Sequence, residues 1–453
     1  MGVMMMNNNK NFFKSLFVKK EGQEKKLASM LKKPGSKSVL SSLICILMGI
    51  LIGFLMMFIL ALTTEDIPFS DSFRGLAIIL GGPFASKGNV MFILGDMLFQ
   101  TTPLLLTGLS VAVAFKTGLF NIGAPGQYLM GAMVSIIIAL GIPANNATVG
   151  FFVWLLALVC GMIAGALWGA IPGLFKALLG VNEVIVCIMT NWIAANIVSW
   201  VFNVNKQFTN TVEGKAGYTI PTIKNNVFTP RLGLDKLFNG SYMDIGLFIA
   251  IGIAILIYVI LNKTTFGFEL RACGHNRHAA KYAGMNEKRN IILSMAIAGA
   301  LAACGSSLYF LNGRVELYWN TYQSLPADGF NGIPVALLAS NNPIGVIFSS
   351  LFLRYIDKGG FNLAGYTMFN EYVSDLIIAI IIYFAGFSKL IKDLLSNKEK
   401  GGGIFAKIKK STAKSSKKEE KVVARVECVG ENSESAAFSE DNSGGEVNEG
   451  EGG

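Results

Sequence analysis

The sequence predicts an all-α polytopic membrane protein, and three observations carry that prediction. Hydrophobic residues make up 52% of the 453 positions and charged residues only 15%, against about 25% charged in soluble domains. Several apolar runs exceed the ~18 residues that mark a transmembrane helix. Lys-rich segments stand at both ends, as cytoplasmic flanks do. The net charge of +10 therefore reports loop orientation, and nucleic acid is not an expected partner.

The elements follow in order. Residues 1–38 form a basic arm with nine Lys against two Glu. The first span, Val39–Leu62, has 24 residues, more than the ~7–15 of a signal-peptide core, and reads as a retained anchor helix. "FRGLAIILGGPFAS" is too short and too Gly-rich to span and suits the interface. Long spans are then expected at Met91–Phe115, Gln127–Leu140, Val149–Ile171, Val181–Phe202, Asp244–Leu261, Asn290–Leu311 and Tyr372–Leu390. Two short apolar pieces, Ala327–Leu338 and Ile344–Tyr355, flank "ASNNP".

Charge fixes the expected topology. Both termini are Lys-rich, so both should be cytoplasmic and the crossings even in number. Eight long spans are even already, so the pieces around 327–355 form either two short crossings, giving about ten, or a re-entrant hairpin. The same count puts loop 262–289 inside, where Lys263, Arg271, Arg277, Lys281, Lys288 and Arg289 agree with it. The transmembrane domain thus covers 39–395. Residues 398–425 carry ten Lys or Arg, and 426–453 carry eight acids and no base. Such blocks of like charge predict a disordered tail over 396–453. Its basic half could rest on anionic membrane lipid or stay solvated.

Several chemistries are missing. No GxxxxGK[ST] pattern occurs, since "EGKAG" at 213–217 lacks both the leading Gly and the Ser/Thr, so no P-loop is expected. No HExxH, GxSxG or Ser/His/Asp set is present. The six Cys are scattered, mostly in apolar runs, and read as small buried hydrophobes. His275 and His278 have no acidic ligand set around them, so no metal site is expected. Polar residues in the spans are mostly Asn, Gln, Thr and Ser, which favours moving a polar solute over reacting with it.

Four stretches break the simple pattern. "KTGLFNIGAPGQYLMG" (116–131) places Asn121 and Gln127 among glycines, with Pro125 suited to a helix's first turn. A tight turn would explain the glycines alone, but the amides less well. "GVNEVIVCIMTNWIAANI" puts Glu183, Cys187 and Asn191 on one helical face. Asn191 at depth fits either an interhelical hydrogen bond or a water-filled path. In "ADGFNGIPVALLASNNPIG", Asp328, Asn331, Asn341 and Asn342 flank a short apolar helix that Gly and Pro break at both ends. Interrupted helices of this kind point to binding sites in transporters. Loop 268–290 has room for two short helices. Its small residues Ala279, Ala280, Ala283 and Gly284 sit within a fringe of Arg277, His278 and Lys281. That pattern suits docking into a groove on a partner, or an ordinary amphipathic loop helix. The residues expected to line a solute path are Gln100, Asn121, Gln127, Asn191 and Asp328, with Trp192 and Phe330 as stacking faces.

Together these segments resemble the permease subunits of bacterial ABC importers for nucleosides, within the branched-chain amino acid and simple-sugar permease superfamily. The resemblance rests on "TPLLLTGLSVAVAFKTGLFNIGAPGQ", "VNEVIVCIMTNWIA", "GHNRHAAKYAGMNEKRNIILSMAIAGALAACGSSLYFL" and "GFNGIPVALLASNNPIG", in that order. It runs from about Leu76 to Leu390. It implies about ten helices in the cell membrane and a pore shared with a second permease. It also implies an extracytoplasmic substrate-binding lipoprotein and a cytoplasmic ABC ATPase that hydrolyses ATP, leaving no cofactor to this chain. The loop around Ala279–Met285 then resembles the coupling helix that docks on the ATPase. In this group the pore is usually built by two different permeases, and this chain, with its long N-terminal arm, looks like the larger. One position departs from the family pattern N-I-G-x-E-G-Q: Pro125 stands where the acid is usual. Sugars of the same superfamily, or ion-coupled secondary transport, are the alternative readings.

Overall fold

The computed structural model describes residues 34–387, apart from 87, 321, 323, 324 and 371, together with Ile391. The chain divides into two compact units at Lys389/Leu390, and the account below concerns the first. The expected basic arm lies outside the described residues except for 34–38, and so does the whole of the expected tail 396–453.

The described residues hold fourteen α-helices and four short 3-10 helices, with no strand beyond isolated bridges. In chain order the helices are α1 Pro34–Thr63, α2 Phe69–Gly81, α3 Val90–Lys116, α4 Ala124–Gly141, α5 Ala147–Leu179, α6 Glu183–Val204 and α7 Leu234–Leu237. They continue as α8 Gly246–Lys263, α9 Thr265–His275, α10 Arg277–Tyr282, α11 Glu287–Phe310, α12 Ala327–Leu338, α13 Pro343–Phe361 and α14 Tyr372–Gly386. Asn is the recurrent start signal. The side chains of Asn89, Asn146, Asn182, Asn276, Asn286 and Asn342 each accept an N–H from the first turn of the helix they open, which satisfies a donor with no intrahelical partner.

Seven helices are long and apolar enough to cross a membrane: α1, α3, α4, α5, α6, α8 and α11. These are the first seven of the eight expected long spans. The eighth, expected over Tyr372–Leu390, coincides with the apolar helix α14, of which 15 residues are described. The pieces around "ASNNP" are helices α12 and α13, bent by 120° against one another. Ser340 and Asn341, with φ of 51° and 57°, make that reversal in the left-handed region. Asn tolerates this better than most residues.

The frame is the packing of α5 on α11. Gly161, Gly165, Gly169 and Gly173 repeat every four residues on one face of α5. A Cβ on Gly165 or Gly169 would strike the backbone carbonyls of Gly299 or Met295 in α11. A Cβ on Gly131 of α4 would meet Ala303 of α11, so three helices close on one small-residue seam. In lipid no hydrophobic force drives helices together, and close backbone approach supplies dispersion contact instead. A second group forms where α1 packs on α14. Gly49 and Gly53 admit Ile381 and Ile377, beside a cluster containing Met57, Ile79 and Ile356. The short helix α2, expected not to span, seals this group through Ser72, whose hydroxyl donates to the Met57 carbonyl at 3.2 Å.

Gly299→Val should overpack the seam by about 1–3 kcal/mol or more, lowering both the yield of monodisperse detergent-extracted protein and its unfolding temperature. Gly252→Ala, where a Cβ meets nothing within 4 Å, should leave both in place.

Candidate translocation site

The break between α3 and α4 is made inside the bundle. Past Lys116 the chain turns at Gly118, whose φ of 72° suits glycine, and doubles back. Asn121 Nδ2 donates to Ser110 Oγ at 3.1 Å, so α4 begins well before the level at which α3 ends. Asn121 and Gln127 form a reciprocal pair. Asn121 Nδ2 donates to Gln127 Oε1 at 2.8 Å, and Gln127 Nε2 donates to Asn121 Oδ1 at 3.0 Å. Asn191 of α6 holds the same turn from the other side. It accepts from the Gly126 N–H at 2.9 Å and donates to the Ile122 carbonyl at 3.0 Å. Gly126 has no room for a side chain there, because a Cβ would lie 2.8 Å from Asn191 Oδ1. Pro125 occupies the first turn of α4, where its missing N–H leaves no bond unmade.

A second helix N-terminus meets this one. A Cβ on Gly329, in the first turn of α12, would lie 2.5 Å from Pro125 Cα, and one on Gly332 would lie 2.6 Å from the Thr107 backbone. The positive ends of α4 and α12 therefore converge at mid-height of α3. Asp328, also in the first turn of α12, is ion-paired with Arg354 of α13. Arg354 also donates to Asp357 at 3.2 Å and to the Gln100 carbonyl at 3.2 Å. One turn further along, Lys358 meets Asp96 at 2.6 Å, and Gln100 Nε2 donates to the same carboxylate at 3.0 Å. Helices α3 and α13 thus run antiparallel with a seam of charge between them. Beside it lies a cavity of about 310 Å³, whose lining includes Asn331, Arg354, Asp357 and Asp375. Nearby on α3, Phe99 stacks on Tyr309 and Tyr242 with centroids 5.2 and 5.9 Å away.

The expected two-helix loop is α9 and α10. Gly274 at the end of α9 sits so close to the turn after α3 that a Cβ would collide with the Lys116 carbonyl. Arg277 reaches within 3.5 Å of the Gly118 carbonyl. The loop therefore rests on the turn that leads into the α4 break.

Residues 93–386 match the family described as the permease component of the branched-chain amino acid transport system. The chain belongs to this permease family. It is 35% identical to the guanosine ABC transporter permease protein NupP of Bacillus subtilis, over 80% of this chain and 97% of the relative. It is also 35% identical to the nucleoside ABC transporter permease protein NupB of Lactococcus lactis, over 80% and 94%. It is 29% identical to the glucose ABC transporter permease protein TsgB13 of Haloferax volcanii, over 69% and 80%. No solved structure matches the chain.

In this permease the path residues picked from sequence fall into three groups. Asn121, Gln127 and Asn191 come together, but each is at most 1% exposed. They hold the α4 break closed rather than face open space, so for Asn191 the interhelical hydrogen bond is what the geometry supplies. Gln100 and Asp328 are joined through Arg354. Trp192 and Phe330 are exposed, and each follows a residue packed on the Pro125–Gly126 turn. In the loop, His278, Ala279, Lys281, Ala283 and Gly284 are exposed, Arg277 is half-buried and Ala280 is buried. The expected small-residue face is therefore split, because Ala280 points inward and α10 stops at Tyr282. Sequence reasoning missed Tyr282, which is 93% exposed at the loop's tip. It also missed Arg354, Lys358, Asp96 and Asp357. Asp96 and Arg354 were visible as charges inside apolar runs, and Arg354 and Lys358 are spaced i, i+4 to face Asp96 and Gln100 at the same spacing.

Arg354→Met should cost about 1–3 kcal/mol, because it leaves two part-buried carboxylates unpaired. Adding Asp328→Asn should recover part of that loss, as read from thermal unfolding of the purified protein.

Proposed function

We propose that this permease is one of two membrane subunits of an ATP-driven importer of nucleosides. The carrying observation is the 35% identity that extends along 97% of a guanosine permease. The complex is completed by a second permease, a cytoplasmic ABC ATPase and an extracytoplasmic binding lipoprotein. The chain crosses the cell membrane ten times with both termini inside, α12 and α13 each counting once. Ser42, near the start of α1's apolar run, donates to the Leu338 carbonyl at 2.7 Å. This supports placing the α12–α13 reversal at the cytoplasmic level, with α13 returning along α3.

The ATPase docks on α9–α10, with Tyr282 as the protruding contact. Its movement reaches the α4 break through Gly274 and the turn at Gly118, which continues into Asn121. The two half-helices then separate or close around the path. A sugar cargo is the second reading, favoured by the glucose permease among the relatives.

In vesicles holding the whole complex, uptake of labelled guanosine should require ATP, survive collapse of ion gradients, and be competed by nucleosides but not by glucose. Gradient-driven uptake by this chain alone, or competition by glucose, would refute the assignment. Gly274→Ala should leave the complex assembled and weaken the coupling of ATP hydrolysis to uptake by roughly 5–150-fold.

A further inference from the structure

Helix α6 buries one face against α4 and α5 through Cys187, Asn191, Ala194, Ala195, Val198 and Phe202. Its other face is open, and among exposed Ile, Met and Val side chains it carries an amide and two indoles. Trp192 and Asn196, both exposed, are the tenth and fourteenth of the helix's 22 residues counted from Glu183. Both therefore sit at mid-span. Trp in membrane helices belongs at the headgroup level, and an amide turned to hydrocarbon costs several kcal/mol. Asn196 recovers one bond, since its Nδ2 donates to the Trp192 carbonyl at 2.8 Å. Its carbonyl and second N–H take no part in that bond. Trp200, also exposed, follows one turn on. The surface is concave there: Met189, Trp192, Ile193, Asn196, Ile197 and Trp200 line a depression of about 450 Å³.

We infer that the stripe Trp192–Asn196–Trp200 is the base-recognition wall of the translocation path, with the second permease forming the opposite wall. The inference rests on the nucleoside reading and assigns the site within it. A nucleobase offers a flat π-face and an edge of donors and acceptors. The stripe offers two indole faces and, between them, an amide carrying one acceptor and one donor. No charge is present on the stripe, which suits a neutral solute. The clasped residue Asn191 fixes the rotation of α6 from behind, which turns the stripe away from α4.

The test uses the assembled complex in proteoliposomes with labelled guanosine. Trp192→Ala and Asn196→Ala should each lower maximal uptake by roughly tenfold, while half-saturation stays with the binding protein. Trp192→Phe and Asn196→Gln should recover most of the loss. Asn196→Cys should react with a membrane-impermeant maleimide, above the background of the parent protein, and guanosine turnover should slow that reaction. Wild-type uptake with unaffected alanine variants, or an unreactive Asn196→Cys, would overturn the inference. So would loss of the second permease on purification, which would make the stripe a subunit interface. Absence of guanosine uptake by the wild type would instead defeat the nucleoside reading, and maleimide labelling would still report whether the stripe meets water.

Discussion

A helix that begins inside a membrane leaves N–H groups with no water to take them, and each one unmade costs several kcal/mol. That constraint governs the centre of this permease. The α4 break is tolerable because every polar group it frees that the clasp can reach is met by a neutral amide. Asn191 takes the Gly126 N–H and returns a bond to Ile122, while Asn121 and Gln127 satisfy one another. Amides suit this better than carboxylates, because each carries a donor and an acceptor and no charge to desolvate. Glycine at 123 and 126 is the second half of the same solution, since α6 approaches to where a Cβ would stand.

The departure at Pro125 follows from this arrangement. Two helix N-termini converge there, and an acid at that position would lie between two positive ends. Here the ring of Pro125 fills the space against Gly329, and the negative charge is held one residue away on Asp328. Arg354 neutralises it. The negative charge at this junction is carried by α12. The glycine seam of α5 and α11 forms a rigid wall beside it, and the polar seam of α3 and α13 lies on the α12 side.

Helix positions were readable from sequence because apolar run length is a local signal. Depth and facing were not, because periodicity says which residues share a face and nothing about what that face meets. Asn121, Gln127 and Asn191 illustrate this. Their polarity at depth marked them correctly as special, yet it could not separate a clasp from a path. Asn196, on the same helix as Asn191, has the same chemistry and the opposite exposure. The charges of the α3–α13 seam escaped because Arg354 and Lys358 straddle the end of a short apolar run and read as flanking residues. The fourfold glycine spacing of α5 was present in the letters as well, and small-xxx-small repeats in apolar helices are a known packing signal. Tyr282 had no signal, since its exposure depends on where α10 stops.

The charged seam also weighs on the choice between driving forces. An ion-coupled carrier needs a mid-membrane group whose charge changes or that takes up a cation during transport. Asp96 is held by Lys358, and Asp328 and Asp357 share Arg354. Protonating Asp96 would leave Lys358 without its carboxylate, whereas Arg354 would keep one partner if either Asp328 or Asp357 were protonated. The charges of this seam pair with one another and position α13 against α3. What remains open on α6 and at the head of α12 is uncharged: indole faces, a phenyl ring and amides. A path of that kind recognises shape, stacking and hydrogen-bond edges, and its work must be supplied from elsewhere. The α9–α10 loop, seated on the turn that runs into the α4 break, is where such work can enter.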